Sequence, residues 1–115
     1  MPDYDAALAF FAGGLGWDVV ADEDQGRKRW VVVRPPGGGA DVLLARAEGD
    51  QAAAVGRQAG GRVAFFLGTD DFGRDMARLE AAGATFEEAP RDEPYGRVAV
   101  WRDPWGNRWD LLERR

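Results

Sequence analysis

The sequence predicts an α+β fold of two tandem βαβββ modules, with the first strand of module one absent or truncated. Three observations predict it. First, the chain matches itself without gaps at a shift of 67 positions: Asp3 falls on Asp70, Gly16 on Gly83, Val31 on Val98, Val33 on Val100, Gly39 on Gly106 and Leu44 on Leu111. Second, the order of helix-forming and strand-forming segments repeats along with those residues. Third, 115 residues, 45% hydrophobic and 30% charged, suit one soluble domain. A chain of this length buries about 65% of the surface it exposes when unfolded. We read residues 1–115 as a single domain, with module one at 1–47, a linker at 48–61 and module two at 62–115.

In chain order, Asp3 opens a helix carrying Leu8, Phe11 and Leu15, and Gly16 ends it. Phe10 and Phe11 are adjacent, so an α-helix buries one and half-covers the other, leaving an apolar surface that a dimer would bury. Trp17 to Asp22 and Arg29 to Arg34 read as strands. A third runs from Asp41 to Arg46 after the Pro35-Pro36-Gly37-Gly38-Gly39 turn. A short helical piece is expected at Gln51 to Val55. Arg62 to Gly68 reads as an apolar strand, and Asp70 or Asp71 then caps a helix to Ala82. Phe72, Met76 and Leu79 give that helix one apolar stripe, and Gly83 is its C′ residue. Ala84 to Glu88 reads as a strand and Ala89 to Tyr95 as a loop. Arg97 to Arg102 and Asn107 to Glu113 read as strands joined by Asp103-Pro104-Trp105-Gly106. Mapped back by 67, the opening strand of module two falls before residue 1. An unpaired edge or groove there would be open to a second chain.

Composition excludes whole classes of chemistry. The chain has no cysteine and no histidine. Disulfides, thiolate nucleophiles, zinc fingers, iron–sulfur sites, imidazole bases and Ser-His triads are therefore ruled out. Catalysis would rest on carboxylates, hydroxyls, amides, Lys28 or arginines, and a metal would need oxygen ligands. The net charge of −5 argues against nucleic acid and against anionic membranes as partners. There is no membrane-length apolar run and no apolar signal region, so the expected compartment is cytoplasmic. The glycine runs Gly37-Gly38-Gly39 and Gly60-Gly61 fit no phosphate-loop pattern. Glu87-Glu88 and Arg114-Arg115 read as solvated ends of elements.

The segments Asp3-Tyr4-Asp5-Ala6-Ala7-Leu8-Ala9-Phe10-Phe11, Leu15-Gly16-Trp17, Thr69-Asp70-Asp71-Phe72 and, above all, Tyr95 to Leu111 with its Asp103-Pro104-Trp105-Gly106-Asn107 turn carry a resemblance. They resemble the vicinal oxygen chelate superfamily, also called the glyoxalase / bleomycin-resistance / extradiol dioxygenase family. The resemblance implies a curled mixed sheet around a cavity, with the helices on its convex side. It also implies up to four metal ligands, from the opening and closing strands of the two modules. Carried onto this chain, those positions are Asp110, Leu43, Ala64 and one before residue 1. One carboxylate does not hold a divalent metal usefully. The expectation is therefore a site without metal or other cofactor, the alternative being a divalent metal at Asp110.

Strand alternation places Arg108, Asp110 and Leu112 on one face of the last strand and Trp109, Leu111 and Glu113 on the other. Ala64, Phe66 and Gly68 would share the cavity face. The expected ligand-binding residues are Trp30, Phe66, Tyr95, Val100, Trp105, Arg108 and Asp110, with Asp110 the candidate catalytic residue. Each has a plainer reading as well. Asp110 is either a cavity carboxylate or an acid paired with Arg108. Trp17, Trp30, Trp101, Trp105 and Trp109 either form an aromatic cage or pack in the core. Tyr95 is a rim donor or a plain turn residue. Arg57 and Gln58 either donate to an anionic ligand or belong to a surface linker. The implied function is binding of a small, partly aromatic or apolar molecule by a homodimer. The alternative is a lyase, isomerase or dioxygenase of the same superfamily that uses Asp110 as base or residual metal ligand; a partner subunit with no ligand of its own is a third reading.

Overall fold

The structure is a computed structural model that describes residues 1–114, and it divides the chain into two compact units, Met1–Ala52 and the chain from Ala53 onward. In the first unit, the Asp3 carboxylate accepts from the Asp5 N–H and caps α1 (Tyr4–Leu8). The helix then widens into a π-helical segment, Ala9–Gly14, and stops where Gly16 takes a φ of 73°. The single regular helix expected here thus changes pitch midway. A π turn rotates successive side chains by less than an α turn does, so neighbours can share a face. Phe10 and Phe11 are accordingly both buried, at 4% and 3% exposure, with their rings edge to face. The apolar surface expected from this pair is absent.

Three antiparallel strands follow, β1 (Asp18–Asp24), β2 (Arg29–Arg34) and β3 (Val42–Leu43), in the order β1-β2-β3. Val31 and Val33 are fully buried on one side of β2, whereas Trp30 on the other side is exposed. Arg29 grips Asp22 through two hydrogen bonds and Asp5 through a third, tying α1 to the sheet. The β3 ladder is shorter than expected, but its backbone continues to pair: Leu44 donates to Val31, and Ala47 donates to the Met1 carbonyl. The Met1 amino group in turn donates to Ala45 O. At a shift of 67, Met1 corresponds to Gly68.

The second unit contains β4 (Phe65–Gly68), α2 (Phe72–Ala82), β5 (Thr85–Phe86), β6 (Arg91–Glu93), β7 (Gly96–Arg102) and β8 (Arg108–Arg114). The sheet order is β4-β8-β7-β5, with β6 also on β7; β4 and β8 run parallel, so the sheet is mixed. Asp71 caps α2 by accepting from Arg74 N, and Gly83 closes it at φ 104°. Phe72 and Leu79 are buried. The expected Ala84–Glu88 strand shrinks to Thr85–Phe86, and the expected loop contains β6, which forms a hairpin with β7. The Asp103-Pro104-Trp105-Gly106-Asn107 turn is organised by one buried carboxylate. Asp103 accepts from the N–H groups of Trp105 and Asn107, from Asn107 Nδ2 and from the indole N–H of Trp109. Trp109 stacks on Trp101 at 4.9 Å and meets Phe65 at 4.7 Å. Trp17, Trp101 and Trp109 are core residues, which leaves Trp30 and Trp105 of the expected cage. Arg114 is exposed, and Arg115 lies outside the described residues. Among the described residues, no helix is long and apolar enough to cross a membrane.

Candidate functional site

The site is built on the middle of β8. The alternation of a strand sends Trp109 and Leu111 to one face and Asp110 to the other. In the ladders, Asp110 stands beside Phe66 of β4 and opposite Val100 of β7. Three of the expected ligand-binding residues are therefore register neighbours. Val100 is buried at 8% exposure, while Phe66 is 71% exposed, a large apolar ring open to solvent next to a polar group.

Asp110 itself is 9% exposed, and its Oδ1 is buried without a hydrogen-bond partner among the described residues. Burial pushes its carboxyl above the ordinary aspartate range. Arg91 and Arg108 pull the other way, and Glu88 reinforces the rise. An oxygen withdrawn from water and left unmatched costs roughly 1–3 kcal/mol.

Arg108 does not pair with Asp110. Its Nε and Nη2 hold both carboxylate oxygens of Glu87, at 2.9 and 3.1 Å, and its Nη1 donates to Gly61 O at 3.0 Å. Arg102 joins the same Glu87 at 2.8 Å. Glu88 accepts from Val100 N at 3.1 Å. Glu87-Glu88 therefore does not form a solvated end: the two acids lock β7 and β8 beside the site. Sequence reasoning missed them because the pairing spans 21 residues and depends on the β7–β8 register.

Tyr95 and Trp105 lie apart from this row, and Trp30 belongs to the first unit. Tyr95 is at the tip of the β6–β7 hairpin, 54% exposed, five residues along the strand from Val100. At about 3.3 Å per residue that is some 16 Å from the carboxyl. Trp105 is in the turn beyond the other end of β7, where its carbonyl lies so close to Gly56 that a β-carbon there would clash at 2.1 Å. Trp30 lies on the open side of β2 in the first unit, 40% exposed.

The metal positions implied by the resemblance do not fit a metal. Leu43 and Ala64 carry no ligand atom, and among the described residues no three carboxylates gather to hold an ion.

The fold is shared with known proteins. The family model described as the Glyoxalase/Bleomycin resistance protein/Dioxygenase superfamily matches residues 1–111. An uncharacterized protein of Shewanella frigidimarina (strain NCIMB 400) is 49% identical over 96% of this chain and 85% of its own. Among solved structures, TnmS3, an antibiotic binding protein from Streptomyces sp. CB03234, is similar at 28% identity and a TM-score of 0.77, over 100% of this chain and 89% of that one. A superfamily member from Sphaerobacter thermophilus DSM 20745 is similar at 27% identity and the same TM-score, over 99% and 90%.

Proposed function

The chain belongs to the Glyoxalase/Bleomycin resistance protein/Dioxygenase superfamily, and we propose that within it this protein binds a small, partly aromatic or apolar molecule without the help of a metal. One observation carries the reading: a buried, unpartnered carboxylate oxygen lies beside an exposed phenylalanine. A flat ligand resting on Phe66 and Val100, with an N–H or O–H aimed at Asp110, would cover the ring and satisfy the oxygen together. Pockets of this kind, apolar with a few placed polar groups, suit binding. The likeness to an antibiotic binding protein at 28% identity supports the same class of ligand. We further read the protein as a cytoplasmic homodimer. The exposed Val19, Val20, Trp30 and Leu43 of the first unit are the apolar side chains that support pairing.

A thermal-shift screen against antibiotics and aromatic metabolites tests this. A ligand at about a hundred times its Kd adds roughly 2.7 kcal/mol to stability. Hits are expected to carry a donor group and to lose most of their shift in Asp110→Asn. No shift across a broad library, or hits indifferent to that substitution, would overturn the reading. Asp110, its carboxyl raised by burial, also suits a general base. Turnover of a hit that stops in Asp110→Asn would mark the protein as an enzyme.

A further inference from the structure

A second concave site lies in the same unit, away from Asp110's unmatched oxygen. Segment 56–62, together with the end of β7 at Arg102, the following turn and the start of β8 at Arg108, lines a cavity of about 170 Å³. Pockets for drug-sized ligands begin near 300 Å³, so this volume suits one compact group. Its lining carries four arginines, Arg57, Arg62, Arg102 and Arg108, with the amides Gln58 and Asn107. The carboxylate paired with these arginines is Glu87, shared by Arg102 and Arg108. The guanidinium groups of Arg57 and Arg62 make no hydrogen bond or ion pair among the described residues; the hydrogen bonds of these two residues are made by their backbone.

Two of the guanidinium groups converge on one glycine. Arg108 Nη1 donates to Gly61 O at 3.0 Å, and Arg57 Nη2 lies 3.7 Å from where a Gly61 β-carbon would stand. Like charges brought to the same backbone point repel unless an anion lies between them. The chain as a whole is acidic, at −5, so this local surplus runs against its composition. Glu87 holds Arg102 and Arg108 in place, so the guanidinium groups left to meet an anion are those of Arg57 and Arg62.

We propose that this cavity is an oxyanion site, which takes a carboxylate or a phosphate group on a small molecule. Recognition is by guanidinium forks, whose planar pairs of N–H donors match such groups. No nest of backbone N–H groups is needed, in keeping with the lack of a phosphate-loop pattern. The site stands on its own arginines and does not depend on the binding role given to Asp110.

Amide NMR titration of the whole chain at constant ionic strength tests it, with inorganic phosphate and benzoate as separate probes. Either probe is expected to shift the amides of residues 56–62 and 106–108. Phosphate alone would point to a phosphate ester as the natural group, and benzoate alone to a carboxylic acid. The double variant Arg57→Ala, Arg62→Ala changes two exposed side chains and is expected to fold as the parent does. It should weaken binding by about tenfold or more. Arg27→Ala, equally exposed in the β1–β2 turn, should bind unchanged. The proposal fails if neither probe shifts these amides by about 10 mM. It also fails if the double variant binds as tightly as the parent, or if Arg27→Ala weakens binding equally, since that would be diffuse screening.

Discussion

A buried carboxyl with an unmatched oxygen is held at a cost, and at Asp110 that cost falls on the ionised form. Its folded-state pKa lies above the unfolded value, with burial as the main cause. Such a group contributes stability below its unfolded pKa and loses it as pH rises through the folded one. At neutral pH, Asp110→Asn should therefore raise the melting temperature, by an amount equivalent to about 1 kcal/mol. The gain should shrink in acid, below about pH 4. A variant that is more stable yet binds worse would identify Asp110 as kept for its ligand. Calorimetry at two pH values decides it: a lower melting point at pH 7 would mean that the carboxylate has a partner. Gly96 is the opposite kind of residue, fixed by backbone conformation and by space. Its φ is 153°, and a β-carbon there would lie 2.2 Å from Glu113 O across the β7–β8 ladder. Gly96→Ala should cost about 2–4 kcal/mol, read as a lower urea midpoint. An unchanged midpoint would show that the strands separate easily at that end.

At the scale of elements, local coding decides what was legible. The signals for α2 all lie within about a turn of its ends: an Asp71 cap, a Phe72/Leu79 stripe and a left-handed Gly83. Its limits could be read directly. Replacing the cap, Asp71→Ala, should cost about 1 kcal/mol in chemical denaturation, while Asp71→Asn should cost little. Equal losses in both would show that charge and not hydrogen bonding matters there. The π-helical segment at Ala9–Gly14 was not legible, because the apolar spacing of Leu8, Phe11 and Leu15 fits a regular helix equally well. Strand β6 was hidden for another reason. Arg91-Asp92-Glu93 has low strand propensity of its own and becomes a strand by pairing with Val98, Arg97 and Gly96. Of the candidate site, the shared face of Phe66 and Asp110 followed from strand alternation, whereas the place of Val100 opposite Asp110 came from the β7–β8 register. Glu87's hold on Arg108 required the three-dimensional register and could not be read in advance.

For the whole molecule, the 67-residue shift was the legible feature, and it carries over to the structure: β2 maps onto β7, β3 falls within β8, and α1 maps to a start one residue before that of α2. What neither the repeat nor the composition revealed is how the charge is arranged. Arginines hold carboxylates down in both units. Arg29 lowers Asp22, Arg34 lowers Asp41, and Arg108 with Arg102 lowers Glu87. At Asp75 burial pushes upward, but hydrogen bonds from Arg74 and Thr69 outweigh it. Depressed carboxyls stabilise above their unfolded pKa, and that stability drains as pH falls through the folded values. Thermal stability should thus be nearly flat from about pH 7 to 5 and fall below about pH 4. Most of these pairs are exposed, so added salt should lower stability only slightly at neutral pH. Glu87→Gln should be less stable than the parent at pH 7 and should show a shallower acid limb, because one depressed carboxyl no longer takes up a proton. A melting point that rises between pH 5 and 3 would mean that the Asp110 contribution, of opposite sign, outweighs all four.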